Sequence, residues 1–297
     1  MPYLTVSNKG VGIINKIMST LNEVSFGYHY FEMGILFRNS ELVNGIMCSI
    51  ESLYGLNMSH IETLEKCDRD FFRQLFKSGA AMPIESFYLS TNALPFRHII
   101  IGRRLMFYWT ILQKGESELV KRVLIAQQLN PVKNDLRLQF EGDLKTCGIT
   151  LTMLEISQMK KCKFRKFVNS QLREVAKDYL MSLKVKHSKL FFLNNDYKLE
   201  KYLSSDNLST VEKQTLFKLK TRMVEVKSNF KIQHDDQVTC SFCPEEDTQS
   251  HLLSCKEVTV GIDTSSVEYE DIFRDIAKLY YKILNQSKLK LKIQTQR

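Results

Sequence analysis

The chain has 297 residues, of which 43% are hydrophobic and 10% aromatic, and its net charge is +9 at pH 7. This composition excludes a disordered polar segment and supports one large or two modest domains with a packed core. Glycine and proline are few, and no run approaches about 18 consecutive apolar residues, so we predict a mainly α-helical fold without a membrane span.

Apolar residues recur at helical spacing along most of the chain, and helix start and stop signals divide this pattern into segments. Asn39-Ser40 predicts the start of a third helix, and Ser59-His-Ile-Glu62 is a capping box for a fourth, which Gly79 ends. Further capping boxes begin at Thr152 and Ser209. The predicted helices span 11–26, 30–37, 42–53, 59–79, 95–115, 117–128, 135–147, 163–184, 209–226 and 269–284, with a short helical turn after Pro83.

The helix that Pro95 opens is apolar almost all round and contains Trp109, the only tryptophan, which predicts a central place in the core. Its two arginines, Arg103 and Arg104, leave two alternatives open. They face solvent, or they point toward a phosphate backbone.

Positive charge is concentrated between residues 160 and 231, where 18 Lys and Arg stand against 7 Asp and Glu. A net charge of +11 in one stretch is typical of a protein that binds a polyanion. For any single cluster the alternative is a solvated helix face. The predicted nucleic-acid contacts are Lys160, Lys161, Lys163, Arg165, Lys166, Lys184, Lys186, Lys189, Lys218, Lys220 and Arg222, while Lys213 is also placed on the outer helix face. Aromatic residues in the loop that follows, Phe191, Phe192 and Tyr197, are candidates for stacking on unpaired bases.

Cys240, Cys243, His251 and Cys255 form the pattern C-x2-C-x7-H-x3-C, which is ligand spacing for one tetrahedral Zn²⁺ ion. His251 and Cys255 lie one helical turn apart, and Thr248 or Asp247 is a candidate cap for that turn. One alternative is that these residues cluster by chance, and another is a disulfide between Cys240 and Cys243. The four remaining cysteines are scattered singly, as is typical of reduced thiols in an intracellular protein, and this argues against the disulfide. Four protein ligands leave no open position, so the predicted zinc is structural.

The sequence shows none of the catalytic motifs that we considered. The one Asp-Asp pair, Asp235-Asp236, lacks the aromatic residue and the strand that a polymerase needs to hold two metal ions. Neither a phosphate-binding glycine loop nor a hydrolase or zinc-protease motif is present. We therefore expect no catalysis by this chain.

Several stretches together resemble the carboxyl-terminal third of the polymerase polyprotein of non-LTR (LINE-type) retrotransposons. The similarity covers essentially the whole chain, and the stretches that carry it are Asn15-Lys-Ile-Met18, Ser25-Phe-Gly-Tyr28, Leu94-Pro-Phe-Arg97, Arg103-Arg-Leu-Met-Phe-Tyr-Trp109, Lys186-His-Ser-Lys189, Leu219-Lys-Thr-Arg-Met223, Asn229-Phe230 and Asp247-Thr-Gln-Ser-His251 within the Cys240 to Cys255 motif. The last gap of the motif is three residues here, whereas four is commoner in the family.

This resemblance implies a multi-helix thumb-like bundle at 1–115, a basic helical linker at 116–231, a CCHC zinc module at 232–260, and a helix with a basic tail at 261–297. It implies that RNA or DNA is the partner, with a reverse transcriptase palm domain as a further one, and neither a membrane nor a small-molecule substrate. The expected function is to hold template RNA or target DNA without catalysis. Two alternatives stay open: a thumb that acts in trans with a separate polymerase, and a decayed or domesticated helical zinc protein. The expected location is intracellular, in the cytoplasm or, as the basic run 160–166 favours, the nucleus.

Overall fold

The computed structural model describes residues 2–24, 26–47, 58–131, 135–190 and 192–223, together with 239, 240, 243–246, 248, 251 and 255. Helices dominate these residues. Within them no strand is formed, and the only β-type pairing is an antiparallel bridge between Thr239 and Glu246. The predicted mainly α-helical fold is confirmed. None of the described helices combines the length and the apolar character that a membrane crossing needs.

The described α-helices follow one another along the chain. They are α1 (Pro2–Glu23), α2 (Tyr30–Phe37), α3 (Val43–Ile46), α4 (Met58–Phe76), α5 (Ile84–Thr91), α6 (Phe96–Leu112), α7 (Leu119–Leu129), α8 (Leu136–Thr146), α9 (Met153–Gln158), α10 (Lys161–Lys186) and α11 (Thr210–Lys220). Two predicted regions, part of 42–53 and the helix at 269–284, lie outside the described residues.

The chain divides into two compact units whose segments alternate along the sequence. The first unit consists of residues 1–20, 35–71 and 92–183, and the second of 21–34, 72–91 and 184–297. The predicted division at residues 115, 231 and 260 stays a prediction.

In the first unit, α6 lies against α8 and α9, and the inner stripe of α10 completes the core. Tyr108 of α6 stacks on Phe140 of α8, with ring centroids 4.1 Å apart. The Nε1–H of Trp109 donates to the carbonyl of Met159 at 2.9 Å. The prediction that the Pro95 helix is central is thus confirmed. The α10 stripe consists of Phe164, Val168, Leu172, Ala176 and Leu180, all fully buried.

The core of the second unit is aromatic. Phe76 lies at its centre, because its ring contacts those of Phe31, Phe87 and Phe217 at centroid distances of 4.7, 5.5 and 4.3 Å. All four rings are fully buried. Four residues from three separate segments of the sequence therefore hold this unit together.

Two of the predicted capping boxes form as expected. At α9 the Thr152 hydroxyl accepts from the N–H of Glu155 while the Glu155 carboxylate accepts from the N–H of Thr152. The same exchange joins Ser209 and Glu212 at α11. These contacts satisfy N–H groups that the first helical turn leaves free.

One other predicted helix start is wrong. The chain does not stop at Asn39-Ser40, because α2 continues through a π-helical turn, Arg38–Leu42, into α3, and the Ser40 hydroxyl donates to the carbonyl of Leu36 at 2.9 Å. The predicted start at Ser59 lies one residue from the observed start of α4 at Met58. The Ser40 hydroxyl bonds within a helical turn instead of capping one, which is the competing use of a short hydroxyl side chain.

The π turn carries a fully buried ion pair. Arg38 and Asp68 are both 0% exposed, and the guanidinium bonds the carboxylate at two points, Nε to Oδ1 at 2.7 Å and Nη2 to Oδ2 at 2.6 Å. Nη2 also donates to the carbonyl of Leu94 at 3.0 Å. The wider turn at Arg38 places this side chain among its acceptors, so the irregular helix serves the pair.

Both arginines of α6 have partners within the protein. Arg104 forms a two-point pair with the largely buried Asp143, and Nε lies 2.7 Å from Oδ2. Arg103 donates to the carbonyl of Met47 at 3.0 Å and to the side chain of Asn44. Their partners lie roughly 40 to 60 residues away in sequence, which is why the local pattern did not reveal them.

Candidate metal centre and basic surface

The Cys/His motif begins with a tight hairpin. Thr239 and Glu246 form its antiparallel bridge, and the N–H of Cys240 donates to the carbonyl of Glu245 at 2.7 Å. Cys240 and Cys243 therefore lie on one short turn of chain, a knuckle that aims two thiols in the same direction.

The second half of the motif is a helical turn. The N–H of Cys255 donates to the carbonyl of His251 at 2.6 Å, which fixes the four-residue spacing on one face. The hydroxyl of Thr248 accepts from the N–H of His251 at 3.0 Å. Thr248 is thus the cap that the sequence suggested. The other candidate, Asp247, lies outside the described residues.

The two halves converge on one point. The Sγ of Cys243 is 3.1 Å from Nε2 of His251 and 3.9 Å from the Sγ of Cys255, and the four ligand atoms, including the Cys240 sulfur, all lie within 4.8 Å of one another. Two thiolates bound about 2.3 Å from one tetrahedral ion stand about 3.8 Å apart. Cys255 is 3% and Cys240 9% exposed. The cluster can therefore hold a metal ion with little rearrangement.

The crowding also affects the proton on Cys243. A backbone hydrogen bond with Glu245 lowers the pKa of this thiol, but burial and the sulfurs of Cys255 and Cys240 raise it more, so the pKa lies above its ordinary value. Without an ion, Cys243 therefore keeps its proton near neutral pH, and an ion that binds displaces it.

Exposed cations cover the start of α10. Five of the eleven predicted nucleic-acid contacts fall within seven residues here, and the side chains of all five are exposed. Within the described residues no ion pair involves any of them, and the Nζ of Lys161 lies 5.9 Å from the ring centroid of Trp109. We call this set the α10 basic surface, and it consists of Lys160, Lys161, Lys163, Arg165 and Lys166.

The predicted contacts around the end of α10 differ in exposure. Lys186 is exposed. Lys184 is half-buried and donates to the carbonyl of Leu193, and burial lowers its pKa. Lys189 is also half-buried, with its Nζ 3.4 Å from the carbonyl of Ala81. Two of these three lysines therefore contact the protein itself.

The predicted contacts on α11 and just after it are again of different kinds. Lys220 is 8% exposed and its Nζ lies 2.8 Å from the carboxylate of Glu200, so its expected place on the outer face is wrong. Lys218 is half-buried, whereas Arg222 is exposed with its guanidinium 5.1 Å from the ring centroid of Phe192. A helical wheel could not distinguish the buried Lys220 from the exposed cations, because its partner Glu200 lies in an irregular segment outside the helix.

Lys213 and Tyr197 are also misplaced by the sequence pattern. Lys213 is 1% exposed, and its Nζ donates to the carbonyls of Tyr28 and Leu203 at 2.7 and 2.8 Å. Burial lowers its pKa. Tyr197 is 5% exposed, so its ring is covered by protein, and Phe191 lies outside the described residues. Of the three stacking candidates, Phe192 is half-buried under Arg222.

Comparison of the chain with protein-family models, with curated proteins and with solved structures gives no match.

Proposed function

We propose that the chain binds nucleic acid through the α10 basic surface and corresponds to the thumb, linker and zinc region of a non-LTR retrotransposon reverse transcriptase. One observation carries the binding proposal: five exposed cations within seven residues form no ion pair within the described part of the chain. Buried cations such as Arg38, Arg104 and Lys220 are, by contrast, each paired with a carboxylate. The phosphates of a polyanion are suitable partners for the five exposed cations of the α10 basic surface.

The position of these cations on the helix supports this proposal. The first turn of α10 contains no acidic residue. Cations near a helix N-terminus oppose the helix dipole, at roughly 0.3 to 1 kcal/mol each. The α9 and α11 starts instead carry Glu155 and Glu212 in their capping boxes. A surface that carries such a local cost is a candidate for function.

Binding to single-stranded RNA and to duplex DNA over a salt series tests the proposal. If all five cations contact phosphates, replacing them together by glutamine should reduce the log–log salt slope by about 3.5 on single strands and about 4.5 on duplex. A matched control changes the same amount of charge at five other exposed positions and should leave most of the slope in place. That control replaces Lys9, Lys16, Arg122, Lys145 and Lys201.

Two results would count against the binding proposal. No affinity for either nucleic acid at low salt would reject it outright. Equal slopes for the two five-fold variants would show that net charge, and not the α10 basic surface, causes binding.

We propose that the ion held by Cys240, Cys243, His251 and Cys255 is a structural Zn²⁺. Three thiolates and one imidazole at tetrahedral spacing are a donor set that zinc prefers, and all four positions are filled by protein. When bound, the ion cross-links the hairpin to the helical turn and so fixes the fold of this short segment.

Metal analysis of the purified chain tests this assignment. One zinc per chain is expected for the unchanged protein and for Cys162→Ser, whose exposed thiol lies outside the cluster. Cys243→Ser should lose most of the zinc. Zinc at full occupancy in Cys243→Ser, or none in the unchanged protein, would contradict the assignment.

We also propose that the chain alone does not catalyse nucleotide addition. The chain on its own should give no primer extension, and it should restore extension to a polymerase that lacks its thumb if it acts in trans. Extension by the isolated chain would contradict this part of the proposal.

A further inference from the structure

A cleft of about 410 Å³ lies between α6 and α10 in the first unit. Its floor is apolar and includes Ile99, Met106, Phe107 and Leu172. The two helices approach closely here because Gly102 has no side chain. A Cβ at this position would stand 2.8 Å from a methyl group of Leu172. The cleft is therefore built by the packing of two regular helices and does not depend on a loop.

Cationic and neutral polar side chains form the rim. Lys161 and Arg165 belong to the α10 basic surface, and Asn169 continues the same edge one turn later. On the α6 side, Arg103 is held by its hydrogen bond to the carbonyl of Met47. No carboxylate lines the cleft within the described residues. The rim therefore favours an anion, while the floor favours a flat apolar group.

We propose that this cleft receives one unpaired base of a single-stranded nucleic acid, with the neighbouring phosphates on Lys161 and Arg165. The inference rests on the proposed nucleic-acid binding and goes further by naming the strand type. A cleft volume of a few hundred Å³ is typical of sites for small organic groups. An aromatic floor between cations is the combination that holds stacked bases along a single strand. In a duplex, the base would first have to leave its stack.

Phe107 is the residue whose change separates base binding from phosphate binding. It is half-buried and offers aromatic surface to the cleft. Phe107→Leu keeps an apolar side chain of similar reach but removes the ring. Phe167→Leu is the matched control, since Phe167 is also half-buried but lines a different cleft. Thermal unfolding of both variants should match the unchanged protein to within a few degrees.

Three nucleic acids of equal length are compared at one salt concentration: a deoxythymidine single strand, an abasic single strand and a duplex. Phe107→Leu should weaken binding of the deoxythymidine strand by roughly 5- to 150-fold, which is the effect expected when one base–aromatic stacking contact is lost. It should leave the abasic strand and the duplex unchanged. Phe167→Leu should leave all three unchanged. Fluorescence of the single tryptophan, Trp109, gives a local signal because Lys161 links its ring to the cleft rim.

The outcomes distinguish this inference from the function on which it rests. If the unchanged protein binds none of the three strands, the proposed function fails. If it binds the abasic and deoxythymidine strands equally, the cleft does not hold a base, although binding through the basic surface stands. If Phe107→Leu weakens all three strands alike, the ring supports the fold and not a base, which also overturns the inference. A Phe107-dependent complex with an acidic phenylalanine-containing peptide, together with no preference for bases, would reassign the cleft to a protein ligand.

Discussion

Replacing Arg38 by methionine should destabilise the protein by about 3 to 5 kcal/mol. The substitution keeps apolar volume but leaves the carboxylate of Asp68 buried without its guanidinium, which now reaches it at 2.6 and 2.7 Å. Both side chains are fully buried, so water cannot replace the lost partner. Breaking a buried pair by removing one member typically has this cost, and it is about a third of the stability of an ordinary domain.

The double variant, Arg38→Met with Asp68→Leu, removes both charges of the buried pair. Most of the lost stability should return, because no buried charge is left without its partner. Urea unfolding followed by circular dichroism measures all three variants. Lys114→Met is the exposed control: Lys114 and its partner Glu118 are 44% and 48% exposed, and a loss below about 1 kcal/mol is expected. A loss below about 1 kcal/mol in Arg38→Met, or a double variant no better than the single, would refute the reasoning.

Four smaller predictions follow from the same structure. Burial lowers the pKa of His98 to about 4, against about 6.5 in the unfolded chain. The contribution of the neutral imidazole to the free energy of unfolding is therefore complete above pH 6.5 and should fall by about 2 kcal/mol between pH 7 and pH 5. His98→Leu should remove this pH dependence, and an unchanged pH dependence would argue against the assignment to His98. Iodoacetamide should modify the exposed Cys162 in the folded protein. Cys147, whose pKa burial raises to about 11, should react only after unfolding, as peptide mapping by mass spectrometry would show. Ser209→Ala should lower the free energy of unfolding by about 1 kcal/mol while Ser209→Asp retains it, and equal losses would discount the cap. Lys77 follows the last residue of α4 and has a φ of 47°. Lys77→Gly should raise the free energy of unfolding by up to about 1 kcal/mol, whereas Lys77→Ala should leave it unchanged, as measured by urea unfolding.

The features that the sequence predicted well are those whose partners lie close along the chain. The capping boxes at Thr152 and Ser209 need only a glutamate three residues later, and the Cys/His cluster brings four ligands from sixteen residues. Helical periodicity located most helices to within a few residues for the same reason. Local information was sufficient wherever the physical interaction was itself local.

The features that it missed depend on distant partners. Arg104 and Lys220 look like surface cations on a helical wheel but meet Asp143 and Glu200 in the interior. Net charge counted along a sequence therefore overstates the charge that a ligand meets. On α10 the count and the exposure agree, and this is the part of the basic stretch that keeps its proposed role.

The unfavourable charges at the start of α10 connect folding to the salt and polyanions in solution. A ligand that neutralises Lys161 and Lys163 also relieves their repulsion from the helix dipole, so it binds the folded state more tightly than the unfolded chain. At 100 times its dissociation constant, such a ligand would add roughly 2.7 kcal/mol to the unfolding free energy. The melting temperature is therefore itself a titration signal, and it should rise with the phosphate content of the solution before any labelled nucleic acid is used.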